Sequence, residues 1–207
     1  MDDHHQAECS MKLTRDAVEA NRERVIDTAA TLFREKGIDG IGVADLMKAA
    51  GMTHGGFYRQ FRSKDDLVVQ AVSRAFTQMS AEITERLANS DQPFAALVRH
   101  YVSDHHRDDP GHGCSLASLA TDAARHDDPA LHEAFGGIVA SYLDLLTGLV
   151  AGTTPEARRA AAIAVLAEMI GSVVLSRVVP DQFVAGEIID TVATDLIERH
   201  AAKHSRP

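Results

Sequence analysis

Between residues 43 and 67 the chain gathers side chains that can bind a polyanion. Lys48, Thr53, His54, Tyr58, Arg59, Gln60, Arg62 and Lys64 all carry hydrogen-bond donors, which suit phosphate oxygens and base edges alike. Gly55 and Gly56 stand among them. Inside a helix each glycine costs roughly 1 kcal/mol against alanine, whereas a backbone pressed against DNA gains from having no side chain to hold it off. Thr53 is a good helix N-cap, and the free amides beside it favour a phosphate. Two other groups can do chemistry. Cys114 follows His112-Gly113 at the expected start of a helix, where the dipole favours a thiolate. His100, His105, His106 and His112 lie near acids that can complete an oxygen- and nitrogen-rich metal site.

These last two groups lack motif support. His105 and His106 project about 100° apart, and no two of the four histidines stand four residues apart, so no helical face presents a ligand pair. No metal and no cofactor is expected. Cys114 has three readings: a small buried side chain at a helix start, a sensor of oxidants or electrophiles, or the nucleophile of a small enzyme. No Gly-x-Ser-x-Gly elbow, phosphate loop or paired metal-ligand motif supports an enzyme. With Cys9 as the other cysteine, no disulfide framework is available.

The elements that must position these residues are helical. Val25, Ile26, Ala29, Leu32 and Phe33 form one apolar stripe that stops at Gly37, as a helix does at a residue tolerating positive φ. Val43, Leu46, Met47 and Ala50 predict a short helix ending at Gly51, and a third runs from about His54 to Gln60 with Phe57 and Phe61 inward. Two short helices joined through Gly51-Met52-Thr53 have the length and turn of a helix-turn-helix. In that motif the second helix meets the major groove with its N-terminal residues at the base edges. A solvated helical hairpin has the same shape. Ser63 and Asp66 then read as a capping box opening a long helix through Leu87. Further helices are expected at about 93–107, 114–125, 130–151, 156–179 and 183–202. No alternating pattern marks a strand, and the fold class is all-α with about nine helices.

Charge is distributed to match. The 207 residues carry a formal net charge of -9, which by itself argues against nucleic acid. Residues 12–64 nevertheless hold ten bases against seven acids, and a locally basic face is enough to meet a polyanion. The N-terminal MDDHHQAECS is polar rather than a signal peptide, and no run of 18 apolar residues suggests a membrane span. A cytoplasmic protein is expected.

The stretch Gly51-Met-Thr-His-Gly-Gly-Phe-Tyr-Arg-Gln-Phe-Arg-Ser-Lys-Asp-Asp-Leu67 resembles the DNA-binding signature of the tetracycline-repressor (TetR) family. The upstream Phe33-Arg-Glu-Lys-Gly37 and Val43-Ala-Asp-Leu-Met-Lys-Ala-Ala50 fit it as well. The resemblance covers about residues 22–70, and the rest matches only in helix number and length. It implies a homodimeric transcriptional regulator, most often a repressor that a small molecule releases from double-stranded operator DNA. It also implies DNA contacts at Lys48, Thr53, His54, Gly55, Tyr58, Arg59, Gln60 and Lys64. This chain departs from the pattern at Ile41 and Gly42, where a hydroxyl residue is common, at Gln60 in place of histidine, and at the extra Gly56.

On this reading residues 1–20 form a flexible arm, 21–66 the DNA-binding head, and 67–207 a domain for ligand binding and dimerisation. A mostly apolar effector would lie among Phe94, Leu97, Tyr101, Leu116, Leu119, Phe135, Ile138, Tyr142 and Met169, with the two tyrosines as polar handles. The dimer would join through the last two long helices, by Ile163, Leu166, Ile170 and Val174 on one and Ile188, Val192 and Leu196 on the other.

Overall fold

The computed structural model describes residues 3–200, with side chains from residue 15 on. Among the described residues there are nine α-helices and no strand. They are α1 (Asp3–Lys36), α2 (Val43–Ala49), α3 (Lys64–Ala88), α4 (Pro93–Tyr101), α5 (Asp104–Asp108), α6 (Ser115–Ala123), α7 (Pro129–Leu149), α8 (Pro155–Val178) and α9 (Gln182–His200). Two 3-10 helices, His54–Arg59 and Pro110–His112, complete the path. Helix α3 packs along α1 at its start and against α4 and α7 further on, while α8 lies between α7 and α9. One apolar cluster runs from Val25 on α1 to Leu196 on α9 without a break. The boundary expected after residue 66 therefore falls inside α3, a single rigid element shared by both parts.

Three expectations differ from the structure. Helix α1 starts at Asp3, so most of the expected flexible arm is helical; no glycine or proline interrupts residues 3–36. The third helix is 3-10 rather than α, closed by Gly56 N–H to Thr53 O at 3.0 Å and Gln60 N–H to Phe57 O at 2.9 Å. Two consecutive glycines give it little α-helical preference, and the tighter winding suits a run of only six residues. The helix expected over 93–107 breaks at Val102 and restarts as α5. Ser103 causes the restart: its Oγ accepts from His106 N–H at 3.2 Å and donates to His100 O at 3.0 Å. Its side chain thus competes with the helical backbone bonds.

His106 has a role that periodicity did not reveal. It is 6% exposed, and both ring nitrogens bind backbone: Nδ1 donates to Tyr101 O at 2.7 Å, and Nε2 accepts from Cys114 N–H at 2.9 Å. Only the neutral ring can do both. Burial pushes its pKa down from 6.5 to about 4, with Arg177 and the neighbouring histidines acting in the same direction against the Tyr101 carbonyl. Between these two values the unfolded chain takes up a proton that the folded chain refuses. The contribution is present in full above pH 6.5 and is lost as pH falls towards 4, a change of about 3 kcal/mol. Urea midpoints measured from pH 7 down to pH 4 should fall accordingly. His106→Gln should remove that part of the slope, and an equal slope in the variant would contradict the assignment.

Candidate nucleic-acid interface

The expected DNA-facing residues are held by a small, fully apolar support. Ile38, Ile41, Leu46, Met47, Phe57 and Phe61 are all 5% exposed or less and pack beneath α2 and the following 3-10 helix. Burial of Ile41 also explains how a hydroxyl position can become apolar here: its side chain belongs to the core. Gly51, at φ +71°, ends α2. Met52 N–H reaches Met47 O at 2.8 Å, and Gly51 N–H reaches Lys48 O at 3.0 Å, the paired bonds of a Schellman turn. On the far side, Ser63 Oγ accepts from Asp66 N–H at 3.0 Å, while the Asp66 carboxylate accepts from Arg62 N–H at 3.0 Å. The expected capping box is present with its return bond moved back by one residue.

This frame presents Lys48, Thr53, His54, Gly55, Tyr58 and Arg59 to the exterior, all exposed. Thr53 makes no side-chain cap bond, so its hydroxyl is available. Tyr58 is 68% exposed. Its ring stands edge-on to Phe57 at 5.2 Å and to His54 at 6.0 Å, which props the phenol away from the core. Lys64 is half-buried, with its ammonium 3.8 Å from Asp39, so a phosphate there has to compete with a carboxylate. Gln60 is partly buried and its Oε1 has no partner. It lines an open cleft of about 290 Å³ with Arg22, Tyr58, Arg59, Arg62 and Asp66.

Glycine at 55 and 56 is not demanded by the protein itself. Neither has a positive φ. A Cβ added at Gly55 meets nothing within 4 Å, and one at Gly56 meets only ordinary contacts with Met47 and Thr53. Their bareness matters to whatever approaches from outside.

The basic residues counted in the sequence divide sharply once folded. Arg34 is 4% exposed and turned inward. Arg22 lies over the Phe61 ring and is held by Gln70. Arg24, exposed with its guanidinium 3.8 Å from Met52 Sδ, and Arg62, also exposed, are not among the contacts that the resemblance implies. The basic balance of residues 12–64 pointed to them.

Further from the head, all nine residues expected around an effector are 7% exposed or less and share the one apolar cluster. Tyr101 and Tyr142 stand edge-on with centroids 6.2 Å apart. The Tyr101 hydroxyl is buried with no hydrogen-bond partner, and burial first, then nearby Cys114, keeps the phenol protonated well above its usual range. Cys114 is itself 2% exposed at the start of α6, a geometry that suits a packed side chain. An open, polar cleft of about 690 Å³ lies elsewhere, between α3 and α4, lined by residues including Glu82, Arg86, Arg99 and His100. No residue expected around the effector lines it.

The expected dimer contacts divide. Ile163 and Val174 are exposed, and Ile170, Ile188 and Val192 are partly so, but Leu166 and Leu196 are buried within the protomer at 5% and 0%. Those two belong to the core, because α8 is apolar on both sides and a stripe alone does not tell which side faces in. The exposed apolar surface instead extends to Leu175, Val178, Phe183 and Val184.

Comparison with known proteins gives a consistent picture. Residues 25–71 match the family model for bacterial regulatory proteins of the tetR family. The HTH-type transcriptional repressor Rv1474c of Mycobacterium tuberculosis is 29% identical over 180 residues, covering 76% of this chain and 96% of that repressor. The repressor NemR of Escherichia coli is 31% identical over 80 residues, which is 39% of this chain and 40% of NemR. Among solved structures, a TetR-family regulator from Cytophaga hutchinsonii superposes with a TM-score of 0.74 at 20% identity, covering 90% of this chain and 98% of that one.

Proposed function

The chain is a member of the TetR family of bacterial transcriptional regulators, and on that footing we propose that it is a homodimeric repressor whose operator binding a small molecule weakens. The family is one of regulators rather than enzymes. The observation that carries the DNA reading is the bare turn of Gly55, which is exposed, and Gly56, which is partly so. It is flanked by Thr53, His54, Tyr58 and Arg59, with nothing in the protein itself requiring glycine there. Thr53, Tyr58, Lys48 and Lys64 bind phosphates, and His54, Gly55 and Arg59 lie nearest the bases. The head comprises residues 21–66, and the remainder senses ligand and dimerises in the cytoplasm.

Helix α8 supports the dimer. Its most apolar 18-residue window has a mean hydropathy of 1.8 and is only 39% buried. That is long and apolar enough to cross a bilayer, yet one face packs on α7 and α9. A partner's α8 and α9 would cover the other face. Two-fold symmetry then sets two recognition turns on successive major grooves, ~34–36 Å apart for adjacent half-sites. Selection from a random duplex pool should therefore enrich an inverted repeat with half-site centres about 10 base pairs apart or a multiple of that. Enrichment of a single unrepeated site, or of none, would overturn the proposal.

The effector reading rests on the buried Tyr101 hydroxyl, which has only the weakly bonding Cys114 thiol beside it and which a buried ligand with a hydrogen-bond acceptor would satisfy better. Differential affinity for the DNA-incompatible state limits the response to about 5–150-fold in typical cases.

A further inference from the structure

Helix α6 lies across the C-terminal end of α1 and is tied to it at both of its own ends. At the start of α6, the buried Arg34 guanidinium donates to Gly113 O at 2.7 Å and to Ala30 O at 2.8 Å. In its last turn, Asp122 Oδ2 accepts from Ile38 N–H at 2.9 Å. The approach is close at each place. A Cβ on Gly37 would lie 2.8 Å from Asp122 Oδ2, and one on Gly111 would lie 2.8 Å from Glu35 Oε1.

The turn that Arg34 grips is gripped from the other side as well. His106 accepts from Cys114 N–H, and a Cβ on Gly113 would come within 2.5 Å of the imidazole. His106 in turn holds the Tyr101 carbonyl. Arg177 of α8 fixes α5 by donating to His106 O at 2.7 Å and Arg107 O at 3.0 Å. The 113–114 peptide is thus held between Arg34 of α1 and His106 of α5, whose other ring nitrogen holds the last residue of α4. Burying a guanidinium on carbonyl oxygens alone is costly compared with apolar packing, and burial does lower the affinity of Arg34 for its proton.

We propose that Arg34, His106 and Asp122 are positioning residues that fix the tilt of the DNA-binding head by clamping α6 across the end of α1. None of the three is among the exposed groups expected to touch DNA; they act through the 113–114 peptide and the Ile38 amide. The proposal rests on the DNA-binding reading and adds a linkage to it. If DNA selects one tilt of the head, DNA binding tightens the clamp, and loosening the clamp weakens DNA binding by the same factor. Because the two grips hold one peptide, losing both should cost little more than losing either.

Hydrogen exchange on the full chain, with and without a saturating selected operator duplex, tests this in the unaltered protein. Peptides spanning 106–118 should exchange about tenfold more slowly with DNA bound, together with the contact region 43–62, while α7 stays unchanged. Arg34→Lys should weaken operator binding about tenfold at an unaltered salt slope, and adding His106→Gln should cost little more. Unchanged exchange at 106–118 beside clear protection at 43–62 would overturn the clamp and leave DNA binding standing. So would an Arg34→Lys protein whose folded fraction binds the operator normally, or additive losses in the double variant. Protection absent from both regions would overturn the DNA reading itself.

Discussion

Replacing Val178 and Phe183 together by glutamate should yield a folded monomer whose operator affinity is lower by about two orders of magnitude or more. These side chains are 70% and 78% exposed, at the end of α8 and the start of α9. Ile163, Val174, Leu175 and Val184 continue the same exposed apolar surface. Burying a valine or phenylalanine contributes roughly 1.5–3 kcal/mol, and a two-fold axis counts each contact twice. Carboxylates in their place remove that gain and add the cost of burying unpaired charge. The protomer core is untouched, since Leu166, Met169, Val173 and Leu196 hold α8 and α9 from inside. Separation of the two heads then removes the effective concentration one half-site lends the other. Sedimentation and circular dichroism read the outcome; a variant that remains dimeric would place the interface elsewhere.

Gly55→Leu should reduce operator affinity about 100-fold, close to 2.7 kcal/mol, without unfolding the head. Gly55→Ala should raise the stability of the free protein by ~0.4–1 kcal/mol, because alanine restricts the unfolded chain and strains nothing in the folded one. The basis is the open space around position 55 and its ordinary φ. Most substitutions that weaken binding by disrupting a fold lower stability too. Here stability and affinity are expected to move in opposite directions, as follows when a position is bare for the sake of an external surface. Equal operator affinity in the leucine variant would show that residue 55 does not face DNA.

How much of this was legible in the sequence depended on whether a local rule decided the matter. The head was legible because its signals are backbone chemistry. Gly37 and Gly51 take the positive φ that ends a helix, and Ser63 caps α3. Phe57 and Phe61 fall inward with Tyr58 outward. The 3-10 winding of residues 54–59 was not legible, since glycine pairs weaken a helix without saying what replaces it. Helix α8 shows a different limit. Its apolar residues surround it, so periodicity found the helix but assigned Leu166 to a partner when it belongs to the core. Arg34 was counted among cations facing a polyanion, yet it is buried against Gly113, 79 positions along the chain. Composition cannot separate a surface arginine from one whose partner is a distant carbonyl. For the same reason His106 read as one of four histidines near acids, although both its nitrogens are committed to backbone.

An acidic chain that binds duplex DNA through a small basic surface should show a steep dependence on ionic strength when its operator is titrated at graded salt. Lys48 and Lys64 on each of two protomers would neutralise about four phosphates, giving a slope of log affinity against log salt of about -3.6. A slope near that value, shallower by about one unit per protomer in Lys48→Ala, is the result expected. Affinity that is weak and flat across the salt range would show that these lysines do not meet phosphates.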